Sequence, residues 1–432
     1  MKAHYYRYLF ETISNGVIQA GSIYDDYVSE GMNYVYMSGS HNETLTEEKS
    51  RKIKKMAEKL TKDTIDLVVI GEFTAVYTIL LYCILKHTHI RTVVMPYIAP
   101  VRRMALVQMV MEYMENSMDI LQFVRHPYTA LKNMGVEKVF FLYDNGQNIS
   151  QEEILDTDDG EYFEMVDTEI IEQVRGMEGE YIPVVKAGYM IQNGWIFYFG
   201  NYGMNVGELS RFTRRYYTRE AYERAIRHSE NELYHIGMFQ LMNAYTKTYG
   251  IEPYATVVMY IGPVRMKQSG KEVRGALFAQ PFAGSGCCVP FLDDEAVNCT
   301  LKCLRCNDHD VLRHQFEEEK SELQMGLLLL GNIDLHQYKS EIVLRFKAYM
   351  DKVRAIMLPE MNTAETWEKS VLSYFPGKDK KYWIANITKS TNAEILKDII
   401  MYGNNNQVVN IKEQRGYCFS GYLMDIDERS II

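Results

Sequence analysis

Side chains that could do chemistry gather in two places along this chain. One is the turn after Ile65–Ile70, where Glu72, Thr74 and Tyr77 follow the β-branched run IDLVVI and lead into an apolar helical stretch, TILLYCILKH. The carboxyl end of a strand is where α/β proteins usually keep their chemistry. The other place is C-x3-C-x2-C-x2-H, made by Cys299, Cys303, Cys306 and His309, with Cys287 and Cys288 upstream. Thiolates and an imidazole at such spacing could close a tetrahedral structural zinc site. The spacing is shorter than the two separated ligand pairs of a zinc ribbon or finger. On a helix the three cysteines would fall at i, i+4 and i+7, the ordinary pattern of small buried hydrophobes. Zinc and buried thiols both stay open from the residues alone.

Other chemistry finds less support. No GxSxG, P-loop or GxGxxG context occurs, and GSGCC (Gly284 to Cys288) lacks a histidine that spacing would orient toward it. The segment SRFTRRYYTREAYERAIRH, Ser210 to His228, interleaves Arg with Tyr. That composition fits a salt-bridged surface helix, a protein interface or, by stacking and charge, single-stranded nucleic acid.

The elements that must position these residues read as alternating strands and helices. Val17 to Tyr24, Asn33 to Met37, Ile65 to Ile70 and Arg91 to Tyr97 are strand-like, and Ser38-Gly39-Ser40 is a turn. Thr46 caps an amphipathic, charged helix running to Leu60. A second helix is expected from about residue 76 to 87, and a third from Arg103 to Met114. Helices packed over a sheet follow from such an order. Residues 130–182 are acidic and turn-rich, and Leu209 to Tyr249 is helical in pattern. Strand signals return at Tyr254 to Gly262, Met325 to Leu335, Val353 to Glu360, Tyr382 to Thr388 and Gln407 to Glu413. Two strand-rich parts with helices point to an α/β chain with mixed sheets, arranged as a four-layer αββα sandwich. The organisation expected is a first half over 1–130, an insertion over 131–250 that is helical in its second part, and a second half over 251–432 with a Cys-containing insertion near 284–310.

Length and composition bound the rest. A chain of 432 residues, 47% hydrophobic and 24% charged, can bury a large core. The net charge of −10 gives no overall attraction for a phosphate backbone, so nucleic-acid binding would need a local basic patch. Seven cysteines, an odd number, do not read as a disulfide framework, and the N-terminus has no apolar signal region; a cytoplasmic protein is expected. Leu67 to Leu85 approaches the length of a membrane span with the single charge Glu72. Its β-branched start and the polar Gly71, Glu72 and Thr74 favour a strand, a turn and a helix instead.

With the segments placed, the chain resembles the metallo-β-lactamase fold, in the branch of competence-type and bacterial defence-associated metallo-hydrolases. NYVYMSGS stands where that branch has a strand ending in a DCGS-like turn, and IDLVVIGEFTAVY stands where it has a strand leading into HxHxDH. ILKHTHIRTVVMPYI, YATVVMYIG, LLLLGNIDL, IMLPEMNT and NITKSTNAEILKDII follow in the family's order. The resemblance implies a dinuclear metal site with ligands from HxHxDH, from the aspartate of a TGD motif and from later histidine loops. Those positions hold Glu72, Thr74, Val76, Tyr77, Asn332 and Glu360 or Met361, and the terminal His-Pro is replaced around Asn392-Ala393. Val76 cannot bind a metal, and Thr74, Tyr77 and Asn332 are poor substitutes for imidazole and carboxylate. Asp334, two residues past Asn332, could be a displaced ligand only if the strand end keeps both on one face.

The resemblance therefore implies a pseudoenzyme without a metal cofactor at this position. Its vestigial cleft is lined by Glu72, Thr74, Tyr77, Asn332, Asp334, Glu360 and Asn362. The expected role is scaffold, sensor or partner subunit, in a bacterial defence or stress setting, with a protein partner or an active paralogue and no membrane. The alternative is an active hydrolase of phosphodiester or ester bonds with a rebuilt or mononuclear metal site.

Overall fold

The computed structural model describes residues 3–13, 16–25, 31–39, 46–97, 123, 126–142, 162–166, 169–171, 182–185, 187–192, 195–203, 255–263, 271–283, 325–358, 367–375, 381–385, 393–402, 406–411 and 415–427. Strands in the first part of the chain are β1 (Ala3–Ile13), β2 (Gly16–Asp25), β3 (Met32–Ser38), β4 (Thr64–Ile70), β5 (His89–Pro96) and β6 (Lys138–Leu142). The middle carries β7 (Tyr162–Val166), β8 (Glu169–Ile171), β9 (Ile182–Val185), β10 (Ala187–Gln192), β11 (Trp195–Gly203), β12 (Ala255–Pro263) and β13 (Lys271–Ala283). The last are β14 (Gly326–Leu329), β15 (Val353–Met357), β16 (Lys381–Ala385), β17 (Asn406–Asn410) and β18 (Arg415–Asp427).

They form two mixed sheets. The first runs β13-β18-β1-β2-β3-β4-β5-β6-β9-β8 and the second β17-β16-β15-β14-β12-β11-β10-β7. In the first sheet β3, β4, β5 and β6 are parallel neighbours, while β1, β2 and β18 pair antiparallel. In the second, β14 to β17 are parallel and β10 to β12 antiparallel. Strands β6, β9, β10 and β11, within the span 131–250 expected as an insertion, are hydrogen-bonded members of these sheets. The expected strand at Met325 to Leu335 is shorter than read, because a turn at 331–332 and a helix cut it off after β14.

Helices follow local signals. Helix α1 (Glu47–Leu60) starts at Thr46, whose side chain accepts from Lys49 N, with Glu47 and Glu48 in its first turn, and it buries Ile53, Ala57 and Leu60. Helix α2 (Ala75–Leu85) is buried on nearly every side, as an apolar sequence without a polar face requires. Helices α3 (Pro127–Asn133), α4 (Leu335–Phe346) and α5 (Ala393–Tyr402) follow along the chain. The Leu67 to Leu85 run is divided between β4 and α2, and among the described residues no helix is long and apolar enough to cross a membrane.

Strand alternation sorts side chains into three apolar clusters. Tyr34 and Tyr36 of β3, Leu67 and Val69 of β4, Val257 and Met259 of β12, and Leu327 and Leu329 of β14 share one cluster drawn from both sheets. Val35, Met37, Val68 and Ile70 join α1 and α2 in a second. Val258, Tyr260, Leu328 and Trp383 join Phe346 of α4 and Ile399 of α5 in a third. Each sheet therefore buries both faces, which is why its central strands read as continuous apolar runs rather than alternating ones.

Candidate functional site

Glu72 lies at the carboxyl end of β4, fully buried. Gly71 makes that place reachable. A side chain at 71 would stand 2.6 Å from Ser38 Cβ, so only glycine lets the turn pass this close to the end of β3, with Gly71 N donating to Met37 O at 2.6 Å. The second sheet arrives on the other side. Val257 N of β12 donates to Gly71 O at 2.9 Å, and Tyr36 Oη of β3 donates to Val257 O at 2.6 Å. These two bonds stitch the sheets together beside the carboxylate.

Four donors converge on Glu72. Ser38 Oγ, Thr256 Oγ1 and Asn332 N donate to Oε1 at 2.7, 2.6 and 2.7 Å, and Gly39 N donates to Oε2 at 2.8 Å. Ser38 and Gly39 end β3, Thr256 belongs to β12, and Asn332 follows β14. Gly331 turns the chain after β14 with φ of 65°, in the left-handed region, and this aims the Asn332 N–H at the carboxylate. Burial pushes the Glu72 carboxyl above its ordinary range, while Thr256, Ser38, Gly39 and Asn332 pull it back toward the charged form. The Tyr36 phenol is held well up by burial, with Glu72's charge adding to the effect, so it stays protonated and donates.

The remaining candidate residues have local duties. Thr74 is the N-cap of α2 and accepts from Tyr77 N at 3.4 Å, while Thr78 Oγ1 donates to Thr74 O at 2.8 Å. Tyr77 Oη donates to Ser38 O at 2.5 Å, fastening α2 to the end of β3. Val76 packs in the cluster beneath α2. Asn332 reaches Glu72 through its backbone rather than its side chain. Asp334 caps α4, accepting from Gln337 N at 3.0 Å. Its carboxylate is taken up at a helix N-terminus, where an acidic cap is stabilising. Glu360, Met361, Asn362, the Asn392 position and the cysteines Cys299, Cys303 and Cys306 with His309 lie outside the described residues, as does the Arg/Tyr segment 210–228.

Chemically, the arrangement is a carboxylate whose lone pairs face hydrogens. A cation set against Oε1 would meet three donors of the wrong polarity, and a reactive oxygen there would have no open approach from solvent. Among the described residues no group of three or more His, Cys, Asp or Glu side chains is placed to hold a metal ion. The sequence reading sets Asn332 beside Glu72, and the structure brings the two together, but it misses Ser38, Gly39 and Thr256. Ser38-Gly39 reads only as a turn and Thr256 only as part of a strand. The signal available was a lone threonine in the otherwise apolar and aromatic run ATVVMYI, since a polar group buried in a two-faced strand needs a partner.

No family model, no curated protein and no solved structure matches the chain.

Proposed function

We propose that this chain is a catalytically silent protein of metallo-β-lactamase-like, four-layer αββα architecture. Its role is non-enzymatic, as a scaffold, sensor or partner subunit. The layer assignment is supported by the three clusters, one drawn from both sheets and one on each outer side with its helices. The defence or stress setting rests on the sequence resemblance alone.

The observation that carries the reading is the saturation of Glu72. At the strand end where a metallo-hydrolase of this kind keeps its ligands, this chain keeps a buried carboxylate bound by four donors from three segments. The position has become a structural tie between the sheets. Function then lies on surfaces rather than in this former site.

Metal analysis of the purified protein, beside a variant lacking Cys299 and Cys303, tests the proposal. Either no stoichiometric metal, or metal that disappears with the cysteines, is expected. Stoichiometric zinc, manganese or iron that survives the cysteine change, together with hydrolysis of phosphodiester or ester substrates, would overturn it in favour of a rebuilt metal site.

A further inference from the structure

Among the described residues the large apolar side chains left exposed are Leu344, Tyr374, Ile400, Met401 and Tyr402. All belong to segments that connect the parallel strands β14 to β17. Such a connection leaves the carboxyl end of one strand and returns to the amino end of the next. Helix α4 starts just after β14, beside the bond from Asn332 to Glu72, and Leu344 lies in its last turn. Helix α5 ends on Ile400, Met401 and Tyr402, shortly before β17 begins. Tyr374 closes a short 3-10 helix, Lys369–Tyr374, and the next ring, Phe375, packs edge-on against Trp383 near the start of β16. The returning ends therefore gather apolar surface at the amino ends of β15 to β17, away from Glu72. Over the first sheet α1 and α2 instead end on Leu60 and Leu85, both buried.

We propose that this end is a peripheral membrane contact, seated on an anionic lipid surface. Leu344, Ile400, Met401 and Tyr402 then sit at the boundary of headgroups and acyl chains. Contact of this kind needs no spanning helix, and it replaces the sequence-based expectation of no membrane partner.

Residue type and charge favour this occupant. Ile400 and Met401 are 55% and 74% exposed. Tyr374 and Tyr402 join an apolar ring to a hydroxyl, which suits a boundary between hydrocarbon and water. The exposed and half-exposed charges flanking these helix ends are Lys347, Lys352 and Lys397 against Glu341 and Asp351. Asp398 is held by Lys369 at 2.7 Å. The balance is slightly positive in a chain whose net charge is −10. An anionic surface repels the acidic remainder, which orients this end toward the lipid. Lys397 stands one turn before Met401 on α5, so its stem can lie along the apolar residue while its ammonium stays in water. A second copy fits less well, since it would set −10 against −10 and the same lysines against themselves.

Co-sedimentation of the full chain with vesicles tests the contact, using phosphatidylcholine alone and phosphatidylcholine mixed with phosphatidylserine. Binding to the mixed vesicles is expected, about tenfold weaker on phosphatidylcholine alone and weakened by salt. I400S/M401D should lower binding by about tenfold and leave the urea midpoint unchanged, because both side chains are exposed. K347E/K397E should weaken binding to the mixed vesicles by about tenfold and leave binding to phosphatidylcholine as it was. No binding to the mixed vesicles overturns the proposal, as does binding indifferent to I400S/M401D or to phosphatidylserine. A dimer that forms without vesicles and is lost in I400S/M401D would give the surface to a second copy and equally overturn it. If I400S/M401D shifts the urea midpoint, L344S on the other helix decides. A severalfold loss of binding upholds the contact, and no change sinks it. None of these outcomes depends on whether the Glu72 position is silent.

Discussion

Thr256 Oγ1 donates to Glu72 Oε1 at 2.6 Å, joining the two sheets through residues 184 positions apart in the chain. Both side chains are buried, so the bond is made in surroundings where losing a partner is costly. It makes Glu72 a tie rather than a reagent.

Thr256→Val keeps the shape of the side chain and removes that donor. A hydrogen bond to a charged group contributes about 1.5 to 3 kcal/mol, and a loss of that size is expected in urea denaturation at neutral pH. The cost should shrink when Glu72 is already Gln, because the two changes remove one interaction. Additive costs would show that the two residues do not act together.

Gly331 should tolerate no side chain. A Cβ there would stand 2.7 Å from Thr256 Cγ2 and 3.2 Å from Glu72 Oε1, at φ of 65°. Gly331→Ala is expected to cost at least about 1 to 2 kcal/mol from the left-handed backbone alone, with more from the clash. Faster exchange of the Asn332 amide would report that its bond to Glu72 has been strained.

The pH dependence has a fixed sign. Burial raises the Glu72 carboxyl in the folded chain above the value it has unfolded. Below the ordinary carboxylate range both states hold the proton, and the stability the group contributes is fully present. As pH rises through that range toward the raised folded value, the unfolded chain releases its proton first and this contribution is lost. The stability difference between the wild type and Glu72→Gln, which cannot titrate, should therefore narrow as pH rises above about 4.5. A difference that widens over the same interval would mean that the four donors outweigh burial.

Asp334→Ala should behave as a lost helix cap. A cost of about 0.5 to 2 kcal/mol is expected, with fraying at the start of α4 in amide exchange and no change in metal content. Asp334→Asn should recover most of it, because the amide oxygen can still accept from Gln337 N. A loss of bound metal in either variant would make Asp334 a ligand.

Much of the frame was legible because both sheets bury both faces. LVVI, TVVMP and ATVVMYI are β-branched or apolar throughout, and Thr46 announces α1 by its hydroxyl. Strand β1 was not, since HYYRYLFET mixes aromatic and charged residues without a turn signal before it. Its alternate Tyr6, Tyr8 and Phe10 face the cluster shared by both sheets. Of the site, Glu72 stood out as a lone charge in an apolar run. Of its partners only Asn332 was placed beside it, through the resemblance; Ser38, Gly39 and Thr256 were not, because they come from segments distant in sequence and two of the four donors are backbone amides, which no side-chain identity encodes. Asp334 was legible in principle: an acidic residue just before a helical run is a capping signal.

The most direct test is denaturation of the wild type and Glu72→Gln, each with and without excess Mn2+ or Zn2+. In the Glu72→Gln variant the new amide would set its NH2 against the Gly39 N–H or crowd the donors at the other oxygen, so a loss of about 1 to 3 kcal/mol is expected. Neither protein should gain from metal through this position. A ligand held by the native state at about a hundred times its dissociation constant adds about 2.7 kcal/mol. A gain of that order in the wild type that vanishes in Glu72→Gln would make Glu72 a metal ligand and contradict its role as a structural tie.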